Sequence, residues 1–399
     1  MKVLQINAVY GFLSTGVIVK DIRDTVVRDG GEAYSAYQEA RGEVENGYRV
    51  GGLLDWKWHA LYTRIFGKQA YASRGATRRL LRWVEKIKPD VVHLHNLHSN
   101  YVNLNMLCDY LAARDIPTVI TMHDCWYFTG KCSHYVASGC EGWLSECGNC
   151  PQLKCEVPSL FFDNTGFVLR DKAEHLLKIP RLTLVGCSEW IAGEAKKSRL
   201  GRAPVEVVYN GVDTDIFTPH DSNFRRDNSL EGDFVILGMA DKWYDARNRA
   251  LVSRLLGQNE LDARYVIVGC KPHHEEFFGS FGCVTTLGYI SDRRYLSDVY
   301  SAADVFLNLT HADTLPTVNM ESICSGTPVV TFDACGSPEL VDEDSGIVVG
   351  EDDADGIIDA LRRVRAGACE FSAYEKHTKF DKNECYKKYL NIYKRISEI

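Results

Sequence analysis

The chain has 399 residues, of which 45% are hydrophobic and 25% charged, enough for two cores of roughly 150–200 residues each. Its formal net charge of -8 and its pI of about 5.9 argue against a nucleic-acid binder on whole-molecule electrostatics. No apolar run reaches the roughly 18–20 residues that span a bilayer.

The start, Met1-Lys2-Val3-Leu4-Gln5-Ile6, enters a strand pattern directly. It shows no charged leader, apolar core or small-residue cleavage site, so a cytoplasmic protein with reduced cysteines is expected. Val3–Ile6 reads as a strand, and the region from Gly16 to Asp29 as loop and then helix. Arg78–Lys86 reads as a basic amphipathic helix ending before Pro89. Val91–His95 and Thr118–Met122 are strands around a helix at Leu104–Ala113. From Cys125 to Asn164 the rhythm breaks into Cys, Gly and aromatic residues without a period, as in a surface insertion. Strand–helix order resumes at Leu182–Gly186, Glu189–Lys197 and Val205–Tyr209. A polar passage, His220–Gly232, precedes the second half, whose strands are placed at Phe234–Gly238, Tyr265–Val268, Asp304–Leu307, Pro328–Thr331 and Ile347–Val349. This alternation predicts an α/β fold with two doubly wound parallel sheets, which bind ligands at the carboxyl ends of their strands. With two such domains, the cleft between them is the expected site.

The most informative segment runs from Tyr300 to Glu339. Asp313 follows an apolar strand, and Pro316 suits the first helical position, where its missing N–H costs nothing. The amides of Thr317 and Val318 are then open to phosphate at a helix start. Glu321 is about a turn further on, placed to reach a ribose hydroxyl.

This segment resembles the paired-acid motif of the retaining GT-B glycosyltransferases (glycosyltransferase family 4), in which two glutamates separated by seven residues contact the donor sugar and the nucleotide ribose; here the first of the two is an aspartate, a departure that keeps a non-catalytic homologue among the alternatives. Asp313 and Glu321 have that spacing. Gly186-Cys187-Ser188-Glu189-Trp190, Asn210-Gly211-Val212-Asp213 and Cys335-Gly336-Ser337-Pro338-Glu339 resemble other segments of the family, and Lys382–Ile396 resembles its C-terminal helix returning to the first domain. The likeness is to the branch making capsular and colanic-acid-type exopolysaccharides. It implies a GT-B fold of two Rossmann-like domains facing across a cleft: residues 1–203 on the acceptor side with the insertion at about 125–164, 204–380 on the nucleotide-sugar side, and the returning segment 381–399.

Residue by residue, the resemblance assigns His123 and Asp313 to the donor sugar, Glu321 to the ribose, and Gly16 and Gly336 to close backbone approach to phosphate. His95, Asn96 and His98, from the end of the preceding strand, are expected beside His123. The family's Lys-Gly pair is absent after the first strand of the second half, and the charges that neutralise the diphosphate are assigned to Lys242 and Arg247, with Arg249 as substitute. The implied reaction is retaining hexosyl transfer from a nucleoside diphosphate sugar, UDP by default, to a saccharide or polyprenyl-linked acceptor. No catalytic metal is implied. A GT-B epimerase or phosphorylase and a non-catalytic homologue are the alternatives.

Two features stand outside this motif set. Cys132, Cys140, Cys147 and Cys150 include one CxxC knuckle and are expected to hold a structural zinc; the alternative is reduced cysteines packed with Trp126, Tyr127 and Trp143. Between Trp56 and Lys88 nine Lys and Arg face one acid, Glu85, with aromatics interspersed. Such a stretch suits peripheral contact with anionic headgroups on the inner face of the cell membrane; the alternative is a solvated helix face with its aromatics in the core.

Overall fold

The computed structural model describes residues 1–369 and 371–398, and the side chains of these except 375–378; Glu370 and Ile399 lie outside the described residues. The chain divides into two compact units, Met1–Asn210 with Cys385–Ile399, and Gly211–Glu384.

The first unit is built on seven parallel strands: β1 (Lys2–Tyr10), β2 (Glu32–Ala40), β3 (Gly47–Arg49), β4 (Val91–Leu94), β5 (Thr118–Met122), β6 (Leu182–Gly186) and β7 (Val205–Val207). Their order is β3-β2-β1-β4-β5-β6-β7. Parallel strands are covered on both faces, and Val3, Leu4, Ile6, Val91, Val92 and Leu94 are accordingly all fully buried. Sequence periodicity misses β2, whose Glu-Ala-Tyr-Ser-Ala-Tyr composition does not favour a strand. Continuous pairing with β1, from Lys2 opposite Glu32 to Tyr10 opposite Ala40, overrides that preference.

β7 pairs with β6 through Leu184, Val185 and Gly186, so the first unit runs on to Asn210 rather than ending at 203. The polar passage His220–Gly232 belongs to the second unit. There Phe224 and Leu230 are buried, and Arg225 pairs with Asp304 at 2.8 Å.

The last helix, Lys382–Ser397, explains its own placement. Tyr386, Tyr389, Leu390, Tyr393 and Ile396 recur at helical spacing and pack with Val3, Ile18, Ile22 and Val91 in the first unit's core. Two of its hydroxyls also make buried bonds there: Tyr389 with Thr121 Oγ1 at 2.7 Å, and Tyr393 with His93 Nδ1 at 2.6 Å.

The second unit holds six parallel strands: β8 (Phe234–Met239), β9 (Ala263–Val268), β10 (Val284–Leu287), β11 (Val305–Asn308), β12 (Val329–Phe332) and β13 (Gly346–Val349), in the order β10-β9-β8-β11-β12-β13. Its core joins Ile236, Trp243, Tyr265, Ile267 and Leu307 to the helix residues Val252, Ile357 and Leu361. In each sheet the order reverses beside the first strand, so the loops after β1 and β4, and after β8 and β11, flank a topological switch point. Among the described residues, no helix is long and apolar enough to cross a membrane.

Candidate functional site

The loops at the second switch point carry the acidic motif. β11 ends at Asn308, and the chain runs through His311 and Asp313 into the helix Thr317–Cys324. Pro316 is the N-cap of that helix, not its first helical residue, so Thr317 opens it. The Asn319 amide bonds the Pro316 carbonyl at 3.0 Å, which leaves the amides of Thr317 and Val318 without an intrahelical acceptor. Asp313 Oδ1 accepts the Leu315 amide at 3.1 Å, and its backbone carbonyl accepts the amide of Gly336 at 3.1 Å. The loops after β11 and β12, which hold the two predicted segments, are therefore joined. The left-handed conformation in the second loop falls on Cys335 (φ 52°) rather than on Gly336. Among the described residues, the buried hydroxyls of Ser337 and Thr310 in these loops have no hydrogen-bond partner.

Glu321 lies one turn into the helix. The Tyr300 hydroxyl donates to Oε2 at 3.3 Å, and Arg293 stands 3.9 Å from Oε1. Burial lifts its carboxyl from the usual carboxylate range to about 7, against the opposing pull of Arg293 and Tyr300. Near neutral pH it can both donate to and accept from a hydroxyl.

The cations after β8 are not equivalent. Lys242, in the short helix Ala240–Trp243, has no ion-pair partner among the described residues. Arg247 is held by Asp352 at 2.8 Å and Glu351 at 3.6 Å. Arg249 lies over the rings of Tyr244 and Phe277 and donates to the Tyr244 carbonyl, which makes it a packing residue. Sequence reasoning missed what fixes this loop. Asn248 donates to the carbonyls of Lys242 (2.9 Å) and Leu309 (2.7 Å), tying β8's loop to β11's. With its amide nitrogen so committed, Asn248 Oδ1 accepts from His311 Nε2 at 2.8 Å, and His311 Nδ1 meets Glu351 at 2.9 Å. Only the position of these residues just beyond strand ends could have signalled them.

In the first unit, His95 and His123 come together at the ends of β4 and β5, with Nδ1 of the first 3.0 Å from Nε2 of the second. Gln5 donates its amide to the Val19 carbonyl, so its Oε1 must accept from His95 Nε2 at 3.1 Å. Burial lowers His123 to about 4 and holds His95 well below the ordinary imidazole range, so both rings are neutral at pH 7. This network assigns His95 Nδ1 as the acceptor and His123 Nε2 as the donor, leaving Nδ1 as the acceptor nitrogen of His123. Asn96 presents its amide to Asn7 Oδ1 at 3.0 Å. His98 turns instead to Asp124, with Nε2 to Oδ2 at 2.9 Å. Burial would raise Asp124, yet His98 and the Trp126 amide outweigh it and hold the carboxyl below its usual value.

Gly16 is not in a loop. The first helix starts at Leu13, and Gly16 is buried in its first turn, where a Cβ would stand 3.1 Å from Val9 Cγ2 and 3.3 Å from the Gly11 amide. The turn glycine after β1 is Gly11, with φ 76°.

The expected zinc is not supported. Among the described residues, no group of three or more His, Cys, Asp or Glu side chains is placed to hold a metal ion. Cys132, Cys140, Cys147 and Cys150 do line one cavity of about 30 Å³ with Trp143 and Tyr135. A hydrogen bond between Cys132 and Cys150 holds the first above the thiol range and the second down to about 7, and Cys147 accepts the Gly130 amide. Trp126, Tyr127, Phe128 and Trp143 of this segment are buried, and the first two reach outside it, to Gln69 and to the His95 carbonyl. Lys172 Nζ, 3.8 Å from the centre of the Trp126 ring, donates to that residue's carbonyl.

Comparison with known proteins agrees with this architecture. A family model described as glycosyl transferases group 1 matches residues 234–366, and one described as glycosyltransferase family 4 matches residues 17–151. The chain is 23% identical over 350 residues to a protein of Escherichia coli (strain K12) bearing the name of the colanic acid biosynthesis glycosyl transferase WcaC, covering 84% of this chain and 82% of that one. It is 25% identical over 294 residues to the D-inositol 3-phosphate glycosyltransferase of Mycobacteroides abscessus, covering 65% of this chain and 64% of that one. Among solved structures, sucrose-phosphate synthase from Thermosynechococcus elongatus superposes with a TM-score of 0.71 at 13% identity, over 99% of this chain and 98% of that one. Anabaena HepE in complex with UDP-glucose gives 0.65 at 15% identity over the whole of both chains. With one glycosyltransferase model on each unit, and a Rossmann-like parallel sheet in each, the chain is a glycosyltransferase of the GT-B type.

Proposed function

We propose that the protein transfers a hexosyl group, with retention of configuration, from a nucleoside diphosphate sugar to a saccharide or lipid-linked saccharide acceptor in surface polysaccharide synthesis. The observation that carries this reading is the junction of the Asp313 and Gly336 loops at the second switch point, with the half-buried Glu321 one helical turn away. Glu321 takes the ribose, the amides of Thr317 and Val318 take phosphate, and Asp313 takes the sugar. Lys242 is the leading cation for the diphosphate, because Arg247 is already shared between Asp352 and Glu351. In the first unit, His123, neutral at pH 7, is the residue assigned to the donor sugar. The C1–O bond to the diphosphate breaks, a bond from C1 to the acceptor oxygen forms on the same face, and the acceptor's proton passes to the leaving phosphate oxygen. No protein nucleophile is needed, and the positive groups stabilise the charge that develops on the diphosphate.

HepE's complexes with UDP and UDP-glucose make UDP the first base to test, and the name of the WcaC relative supports an exopolysaccharide acceptor. The test is a thermal-shift screen of the protein and of Glu321→Ala against UDP-, GDP-, ADP- and CMP-sugars, followed by proton NMR of the product's anomeric coupling. One nucleotide series should stabilise the parent and not the variant. No shift with any donor, or an inverted product, would overturn the reading. The ion pairs of Arg247 favour one rival, a non-catalytic homologue, which would bind donor without turnover on any acceptor.

A further inference from the structure

The helix Leu53–Phe66 is inside out. Its buried residues are His59 and Thr63, while Leu54 is 82% exposed and Trp58 63%. The inward face is fixed by polar bonds. The Ala72 amide donates to His59 Nε2 (3.4 Å), so Nδ1 donates to Ser73 Oγ (2.8 Å), and Thr63 Oγ1 donates to Asn100 Oδ1 (3.1 Å). Burial lowers His59 to about 4, so the ring is neutral and settled in place. The apolar stripe Leu54–Trp58–Leu61 is therefore left in water by construction.

A second segment extends it. The Leu160 amide bonds the Arg64 carbonyl at 2.7 Å, and Phe162 stacks on Phe66 at 5.6 Å, which leaves Phe161 72% exposed beside the helix end. Contiguous apolar surface of this kind on a folded domain marks a docking site.

Charge identifies the occupant. Lys57 and Arg64 stand among the apolar residues, and Lys68 lies over the ring of Phe167. In the next helix, Arg74–Ile87, the exposed Arg74, Arg78 and Arg82 recur every fourth residue, and Arg79 ties that helix to Asp55 of the first at 3.1 Å. The chain as a whole carries -8, so these two linked helices reverse the molecule's sign. A second copy of the chain on the same face would set these cations against one another, whereas an anionic lipid surface complements both the charge and the apolar stripe.

We infer that Leu53–Phe66, the Leu160–Phe162 segment and the Arg74–Arg82 row form a monolayer-docking face that inserts its apolar side chains among anionic lipid headgroups. This goes beyond the donor chemistry and is measured without nucleotide. The full chain is floated with vesicles of phosphatidylcholine plus phosphatidylglycerol, and with phosphatidylcholine alone, at low and high salt. The parent should bind the anionic vesicles and lose affinity with salt. Leu54→Asp with Phe161→Asp should lower the partition coefficient at least about tenfold per side chain. Arg74→Ser with Arg78→Ser should remove the preference for anionic lipid. Circular dichroism and the donor-induced thermal shift should be the same in all three proteins, because these side chains are exposed. No binding by the parent, or equal binding by Leu54→Asp/Phe161→Asp, would overturn the inference. So would a concentration-dependent dimer that this variant converts to monomer, because the occupant would then be a second copy.

Discussion

Glu321 provides the sharpest test of how the second unit's site is built. Its half-buried carboxyl lies beside Tyr300 and Arg293, and desolvation pushes it from the usual 4.5 to about 7 against the pull of both. In an acid whose folded value is raised, the proton is held by both states below the unfolded value. As pH climbs from about 4.5 to about 7, the unfolded chain gives up this proton while the folded one keeps it. Stability therefore falls across that window and levels off above it, by about 3 kcal/mol for this displacement. Glu321→Gln keeps the shape and the acceptor for Tyr300 but cannot ionise, so it lacks this loss. Relative to the parent, the variant should gain about 3 kcal/mol of stability between about pH 4.5 and about pH 8. The assay is urea denaturation of both proteins at several pH values, followed through Trp243, the second unit's tryptophan and a fully buried one, by placing a fluorinated tryptophan and reading its NMR signal. A difference between variant and parent that stays constant with pH would show that the carboxyl ionises as freely as in water, and the account of Glu321 would be wrong.

Three further outcomes follow from particular contacts. Tyr393→Phe removes the hydroxyl that meets buried His93 at 2.6 Å and should cost about 1–3 kcal/mol, read as a lower thermal midpoint. Gly211→Ala would set a Cβ 2.4 Å from Lys382 Cα and 2.9 Å from its amide nitrogen, so it should cost about 1–3 kcal/mol by calorimetry, and a neutral result would mean that this crossing is loose. Lys242→Ala should lower kcat about 100-fold or more in a donor-turnover assay, whereas Arg247→Ala should cost far less because that guanidinium already serves Asp352 and Glu351. The reverse ranking would mean that Arg247 leaves its acids when donor arrives.

The fold was legible wherever a strand is buried on both faces, since an uninterrupted run such as Val91–Leu94 has few other ways to be satisfied. The two acids were legible for a related reason: once β11 is found, the residues a few positions beyond it must lie at the carboxyl end of the sheet. What holds those residues still was not legible. Asn248, His311 and Glu351 are spread over more than a hundred positions, and a hydrogen bond leaves no periodicity in the sequence. The cysteine spacing is incomplete in the same way: it names residues able to bind metal, but whether four sulfurs face one ion or one another depends on the path of the loop.

The inside-out helix is the most instructive departure, because hydrophobicity points the wrong way there. From Trp56 to Phe66 the sequence allows a core helix or a lipid-facing one, and composition does not separate them. The choice is made by two polar residues, His59 and Thr63, whose partners Ser73 and Asn100 come from later in the chain. Replacing both by leucine removes the bonds that fix the inward face, while the outer stripe keeps its composition. If those bonds, and not the outer residues, set the orientation, the doubly substituted helix should rotate or fray, and Trp58 should lose its exposure to a soluble quencher. Unchanged quenching would mean that packing of the flanking Ala60 and Ile65 is sufficient, and the polar pair would then be a consequence of the orientation rather than its cause.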